Sequence, residues 1–164
     1  MNIKFIPECF ADTALVHFFL KNDDLYIHQR GVGEVANSMK SAAATTYRMV
    51  GLVDNDKRQP SYFQNFEEIE TKGNITIKKI PLSEQYLIVV TPAIERFLLN
   101  CCQEIGLDLS TFNLPDDLKA LTKITKDVNI KTNPDYLNLL NALIQEKSPD
   151  FVFLEKIFNN LKVL

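Results

Sequence analysis

The stretch that decides the fold is Met49-Val50-Gly51-Leu52-Val53-Asp54-Asn55-Asp56, in which a continuous apolar run ends abruptly in acidic and amide side chains. An apolar run without alternation is typical of a strand that is buried on both faces, as in the middle of a parallel sheet. The stretch therefore predicts a central strand over residues 49–53, with Asp54 and Asp56 at its carboxyl end.

Upstream of this strand, the sequence pattern predicts alternating strands and helices. Residues 3–6 form a short apolar run that indicates a first strand. Apolar side chains between residues 11 and 19 then recur at helical spacing. A second short strand is predicted over residues 25–27, followed by a helix from residue 35 to about residue 47.

Downstream of the central strand, the pattern predicts a polar excursion and then two more strands. Residues 57–72 are mostly polar and indicate a loop that leaves the sheet. Residues 75–80 predict an edge strand, and residues 87–90 predict a second fully buried strand. A helix is predicted to start at Thr91-Pro92, because Thr is a good N-cap and Pro is well tolerated at the first helical position.

This order of elements predicts an α/β protein with a mainly parallel, Rossmann-like sheet and helices on both of its faces. Strands that alternate with helices are joined by right-handed crossovers, which produce parallel neighbours. Within residues 111–164, residues 115–164 are helical in pattern throughout. They predict a C-terminal helical extension that packs on an α/β domain formed by residues 1–110.

Composition narrows the classes of function. The chain has 164 residues, of which 46% are hydrophobic and 24% charged, and its formal net charge is -3. This balance argues against a protein that coats nucleic acid by charge alone, because such binding needs a basic face. It is compatible with a nucleic-acid enzyme whose bound cation supplies positive charge locally.

Cysteine usage and hydropathy predict a cytoplasmic protein with no membrane partner. The three cysteines, Cys9, Cys101 and Cys102, form no spaced framework and are expected to be reduced. No apolar stretch approaches the roughly 18 residues needed to span a bilayer. The N-terminal residues also lack the pattern of a signal peptide.

Three acidic residues follow predicted strands, and we expect them to converge. Glu8 follows the first strand, while Asp54 and Asp56 follow the central one. In open parallel sheets, ligands bind beyond the carboxyl ends of the strands, and residues two apart in an extended segment project to the same side. Carboxylate oxygens favour Mg²⁺ (or Mn²⁺) over zinc. The sequence therefore predicts a magnesium site at this edge.

Two stretches resemble the Toprim domain, which is found in topoisomerases, bacterial primases and OLD-type nucleases: Ile3-Lys4-Phe5-Ile6-Pro7-Glu8-Cys9-Phe10-Ala11-Asp12 and Val50-Gly51-Leu52-Val53-Asp54-Asn55-Asp56. In that domain a strand ends in Glu with an Asp four residues later, and a buried strand ends in Asp-x-Asp. Residues 89–99 are similar to a strand and Glu-rich helix of small stand-alone bacterial Toprim-like proteins. The resemblance covers residues 1 to about 105, and Cys9 stands where the pattern usually has Gly.

The resemblance implies a role for each acidic residue. Glu8 would be the general acid/base or a metal ligand, and Asp54 and Asp56 would hold Mg²⁺. Asp12 and Glu95 would be additional metal candidates, either for a second ion or for orienting the ligands of the first. Phosphoryl transfer uses such cations to neutralise developing oxyanion charge.

Basic residues near the same predicted edge are candidates for binding a substrate phosphate. Arg30, Lys57 and Arg58 are the best placed, since a forked guanidinium matches phosphate oxygens. His28, which follows the second predicted strand, is expected to face the same rim.

These observations support a leading hypothesis and two alternatives. The first is a Mg²⁺-dependent enzyme that acts on phosphodiesters, a nuclease of a bacterial defence or repair system with nucleic acid as its partner. The second is a catalytically silent Toprim-like interaction subunit that works beside an ATPase or another nuclease. The third is a receiver-like phospho-acceptor domain that uses Asp54, which ranks lower because no acidic pair follows the first strand.

Overall fold

The computed structural model describes residues 2–43 and 45–163, and its centre is one five-stranded sheet. The strands are β1 (Ile3–Pro7), β2 (Arg48–Asp54), β3 (Glu67–Lys72), β4 (Ile75–Lys79) and β5 (Gln85–Val90). Their order across the sheet is β1-β2-β5-β4-β3. The predicted central strand is β2, and every residue of it is buried.

The sheet is mixed, so the prediction of a mainly parallel sheet is wrong. The pairs β1–β2 and β2–β5 are parallel, whereas β5–β4 and β4–β3 are antiparallel. The reason lies in the connections, because a parallel pair needs a crossover of about a dozen residues or more. Only residues 73–74 join β3 to β4, and only residues 80–84 join β4 to β5, so both connections are hairpins.

Helices cover the sheet, and the α/β class is as predicted. They are α1 (Phe10–Leu20), α2 (Val32–Ser41), α3 (Ile94–Ile105), α4 (Leu118–Thr125), α5 (Pro134–Gln145) and α6 (Pro149–Val163). Short 3-10 turns lie between several of them, at Asp23–Leu25, Ser61–Asn65, Leu109–Phe112 and Ile130–Thr132.

The two faces of the sheet carry separate cores, which confirms the prediction of helices on both faces. On one face, α2 packs Val35 and Met39 against the sheet. Gly51 permits this close approach, because a Cβ there would lie 2.7 Å from the sulfur of Met39 and 2.9 Å from Leu87 Cδ1. The other face is covered by α1, α3 and the C-terminal helices.

Three local predictions about strands are wrong. The strand predicted over residues 25–27 is reduced to a single bridge between Tyr26 and Phe5. The true edge strand, β3, falls in the segment predicted as a loop, and all of its side chains are exposed. An edge strand exposed on both faces shows no apolar alternation, so the sequence pattern does not reveal it. Consequently β4, predicted at the edge, lies inside the sheet.

The segment 111–164 is helical, as the pattern predicts, and its buried side chains belong to the same core as the sheet. Phe158 on α6 stacks on Phe5 of β1 with 5.0 Å between ring centroids, and on Phe19 of α1 at 4.8 Å. The buried Arg48 donates from Nη1 to the carbonyl of Leu161 at 2.9 Å. Among residues 2–43 and 45–163, no helix has the length and apolar character needed to cross a membrane.

Candidate functional site

Glu8 and Asp54 meet because β1 and β2 are parallel neighbours whose carboxyl ends lie side by side. The backbone N–H of Glu8 donates to the carbonyl of Leu52 at 3.0 Å, which extends the ladder one residue past β1. The side chain then turns over the end of β2, where Glu8 Oε2 accepts from the backbone N–H of Asp54 at 3.0 Å. Glu8 is only 3% exposed and Asp54 9%.

Asp54 also caps the start of α3. Its Oδ1 accepts from the backbone N–H of Ile94 at 3.0 Å, and the residue at the N-cap position, Ala93, has no side-chain acceptor to offer. A helix start leaves several N–H groups without a partner, and an anion there is stabilised by the helix dipole. The predicted start at Thr91 is therefore wrong, because the cap comes from a different strand.

A cavity of about 470 Å³ opens beside these two residues. Four acidic residues line it, of which Asp56 is exposed and Glu95 half-buried. The complete lining comprises Glu8, Cys9, Phe10, His28, Gln29, Arg30, Gly31, Asp54, Asp56, Lys57, Ala93, Glu95, Thr122, Thr125 and Lys126.

Glu95 is held at the cavity by the C-terminal segment. It lies in the first turn of α3, one residue after the position capped by Asp54. The hydroxyl of Thr125, the last residue of α4, donates to Glu95 Oε1 at 2.5 Å, and Thr125 is buried. The end of α4 is thereby fastened to the start of α3.

Asp12 lies behind the cavity and is fully buried in α1. The thiol of Cys9, which is the N-cap of α1, donates to Asp12 Oδ2 at 3.1 Å. The other oxygen, Asp12 Oδ1, has no hydrogen-bond partner among the described residues. A buried charged oxygen without a partner is costly, so the burial of Asp12 favours its protonated form.

The carboxyl groups raise one another's affinity for protons. Burial, followed by the charges of Glu8, Glu95 and Asp56, raises the pKa of Asp54 to about 8. Burial and the charge of Asp54 raise the pKa of Asp12 well above its ordinary value. Burial likewise raises the pKa of the Cys9 thiol, which therefore acts as a neutral donor. Close packing of acidic groups therefore favours the protonated form of both Asp54 and Asp12.

Three basic residues line the cavity, and two of them were expected. Arg30 and Lys57 lie on the rim as predicted, whereas Arg58 is exposed and is not part of the lining. Lys57 Nζ lies 3.5 Å from Glu8 Oε1, and its side chain is 62% exposed. The charges of Glu8, Asp56 and Asp54 raise the pKa of Lys57. The third cation is Lys126.

His28 forms part of the rim together with Phe10. Their rings stack with centroids 4.5 Å apart and planes 7° apart. His28 Nδ1 lies 2.8 Å from the hydroxyl of Thr13, which donates to the carbonyl of Cys9 at 2.7 Å. Because that hydroxyl proton is used, the contact is a hydrogen bond when Nδ1 of His28 is the donor. Burial and the charge of Arg30 lower the pKa of His28, which favours the neutral ring.

The donor set fits a hard divalent cation, although no ligand shell is preformed. All four acidic residues of the lining, Glu8, Asp54, Asp56 and Glu95, offer oxygen, and oxygen is what Mg²⁺ and Mn²⁺ prefer. The mutual repulsion of these carboxylates is relieved by added positive charge. Within residues 2–43 and 45–163, no three His, Cys, Asp or Glu side chains already stand at ligating distances. Binding would therefore involve side-chain rotation.

Sequence reasoning missed the residues that the C-terminal segment contributes. Thr122, Thr125 and Lys126 reach the cavity from α4, which lies outside the stretch that resembles Toprim. No local signal in the sequence distinguishes them from other polar residues of a surface helix.

The stability of the metal-free protein is expected to fall as the pH rises from about 5 to about 8. Asp54, with a pKa of about 8, and Asp12, with a raised pKa, hold protons more tightly in the folded chain than in the unfolded one, where an Asp titrates near 3.9. Their contribution is full below about pH 4 and is lost as the pH approaches 8. His28, whose pKa is lowered, acts in the opposite direction at the acidic end of this range.

Thermal unfolding in EDTA across this pH range measures the effect. We expect Tm to decrease steadily toward pH 8, and added Mg²⁺ or Mn²⁺ to restore more of it at pH 8 than at pH 5, because ligating carboxylates must be deprotonated. A Tm that is level or rising between pH 6.5 and 8 in EDTA would contradict the raised pKa of these carboxyl groups.

The chain matches no protein-family model, and comparison with curated proteins and with solved structures finds no match for it either.

Proposed function

We propose that this chain is a Toprim-like, Mg²⁺- or Mn²⁺-dependent enzyme that acts on phosphodiesters, a nuclease. The observation that carries the proposal is the junction of Glu8 with Asp54 across two parallel strand ends, beside a cavity lined by four acidic residues. Cations on the rim, Arg30 and Lys57, supply contacts for an anionic substrate.

Each residue has a role that follows from its contacts. Glu8 Oε2 is held by the backbone N–H of Asp54, and Oε1, which Lys57 Nζ contacts at 3.5 Å, is the oxygen that accepts a proton from an attacking water and returns it to the leaving oxygen. Lys57, beside Oε1, keeps a positive charge close to the same oxygen. The hydrogen bond to Ile94 fixes one oxygen of Asp54 and thereby orients the other.

A bound divalent cation would supply the chemistry that these residues lack. Mg²⁺ held by Asp54, Asp56 and Glu8, with Glu95 as an additional candidate, would neutralise the charge that develops on phosphoryl oxygens, whereas Asp12 is buried behind the cavity and outside its lining. The protein holds two of these carboxylates, Glu8 and Asp54, in buried positions, where electrostatic interactions are stronger than in water.

The test is cleavage of labelled single-stranded and duplex DNA and RNA by the purified protein with Mg²⁺, Mn²⁺ or EDTA. We expect cleavage with either metal, none in EDTA, and a loss of about 10²-fold or more in Glu8→Gln, which keeps the acceptor for Asp54 N–H but cannot act as a base. Glu104→Gln, an exposed residue of α3 outside the cavity, is the matched control and should retain full activity. Metal-independent cleavage, or equal rates for Glu8→Gln and wild type, would exclude the proposed mechanism.

The alternative function is a catalytically silent Toprim-like subunit that binds an ATPase within a defence or repair complex. The position of Lys57 favours it, because a lysine beside Glu8 gives that carboxylate a cation of its own. This alternative predicts no heat of Mg²⁺ binding by calorimetry and co-purification of an ATPase partner. Saturable Mg²⁺ binding that is lost in Asp54→Asn would favour the enzyme instead.

A further inference from the structure

We infer that Lys126, at the C-terminal end of α4, binds a phosphate of the substrate in this cavity. The inference deepens the proposed function and rests on it. It assigns a substrate contact to the helical extension, outside the Toprim-like stretch. It also defines the substrate class as a polyanion that carries a phosphate in addition to the one held at the carboxylates.

The first support is positional, because the backbone at Lys126 is held firmly at the cavity. Its N–H donates to the carbonyl of Thr122 at 3.2 Å as the C-cap of α4. The preceding residue, Thr125, is buried and bonded to Glu95. Lys126 itself lines the cavity, and its side chain is exposed to solvent.

The second support is the distribution of charge. Four carboxylates and three cations line the cavity, and Lys57 already lies at salt-bridge distance from Glu8. Arg30 and Lys126, by contrast, form no ion pair with any described residue. A lysine that lines an acidic cavity and still has no carboxylate partner is available for an external anion, and phosphate is the anion that the proposed reaction brings.

The third support comes from the cavity's size and rim. A volume of about 470 Å³ is within the range of pockets that hold a nucleotide-sized ligand. The cations reach it from three separate segments, the loop before α2, the loop after β2 and the end of α4. Cations that come from three segments are better suited to bind a chain of phosphates than to bind one isolated phosphate.

The experiment measures binding separately from cleavage. Fluorescence anisotropy with a short fluorescein-labelled single-stranded DNA, and with the RNA of the same sequence, is recorded at several salt concentrations with Ca²⁺ in place of Mg²⁺, and the same samples are checked for cleavage. The variants are Lys126→Ala, Lys126→Arg and Lys123→Ala. Lys123 is the matched control, since it is an exposed lysine one turn earlier on α4 that does not line the cavity.

We expect Lys126→Ala to weaken binding about tenfold at low salt and to reduce the slope of log K against log salt by about 0.7 to 1, as for the loss of one phosphate contact. Lys126→Arg should stay within about twofold of wild type, because the charge is kept. In cleavage with Mg²⁺, KM should rise about tenfold while kcat is nearly unchanged. A merely structural role for Lys126 would not change the salt slope.

Equal affinity and equal slope for Lys126→Ala and Lys123→Ala would overturn the inference, and so would failure of the wild-type protein to bind either oligonucleotide. Failure of the proposed function has a different signature, in which wild type binds the oligonucleotides but does not cleave them with Mg²⁺ or Mn²⁺. In that case the anisotropy comparison still decides whether Lys126 contacts phosphate.

Discussion

Asp54→Asn is expected to reduce metal-dependent cleavage by about 10³-fold or more and, at the same time, to raise the Tm of the metal-free protein at pH 8. Asparagine keeps an oxygen that accepts from the backbone N–H of Ile94, so the start of α3 remains capped. It removes the carboxylate that burial and neighbouring acids destabilise. Loss of activity with a gain in stability is the signature of a residue kept for function.

The size of this gain in stability should depend on pH. At pH 5 the Asp54 carboxyl is already protonated in the folded chain, and the difference from asparagine is smaller. Between pH 5 and pH 8 the wild type loses stability faster than the variant, so the Tm difference in EDTA should widen. Thermal unfolding at both pH values, together with the cleavage assay, measures the two effects on the same preparations.

The control for this substitution is Asp116→Asn, which makes the same chemical change at an exposed position outside the cavity. We expect it to leave both activity and Tm unchanged at either pH. If Asp54→Asn cleaved at the wild-type rate, Asp54 would have no part in the reaction. If it lowered Tm at pH 8, the buried carboxyl would be a source of stability rather than a cost.

Phe158→Ala is expected to lower the free energy of unfolding by about 3–5 kcal/mol, as measured for buried Phe truncations. The ring is fully buried and stacks on Phe5 of β1 and Phe19 of α1. Removing the ring leaves a cavity between α6, β1 and α1, because close-packed elements relax only partly into the vacated space. This cost is a large fraction of the stability of an ordinary domain, which is about 5–15 kcal/mol.

Denaturant unfolding followed by circular dichroism measures this cost. Asn159→Ala, at the adjacent exposed position of α6, is the control and should change stability by less than about 0.5 kcal/mol. A cost below about 1 kcal/mol for Phe158→Ala would show that α6 is dispensable for the core of the sheet. A cost in the expected range would mean that the C-terminal segment and the sheet unfold together.

The part of the site that the sequence predicts is the part made by neighbouring parallel strands. Glu8 and Asp54 each follow an apolar run, and the runs pair as β1 and β2, so their carboxyl ends had to coincide. Asp56 and Glu95 reach the same cavity. Asp12 does not line it, because its helical position turns the carboxyl into the core, where Cys9 is its donor.

The sequence by itself determined the central strands, the helical segments and the acidic residues at one edge, because burial leaves a local pattern of apolar side chains, continuous in the central strands and periodic in the helices. Only the tertiary structure decided that half of the sheet is antiparallel, that Asp54 caps α3 and that Lys126 lines the cavity. These features depend on contacts between residues far apart in the chain, and no local pattern records which distant partner satisfies a hydrogen bond or a charge.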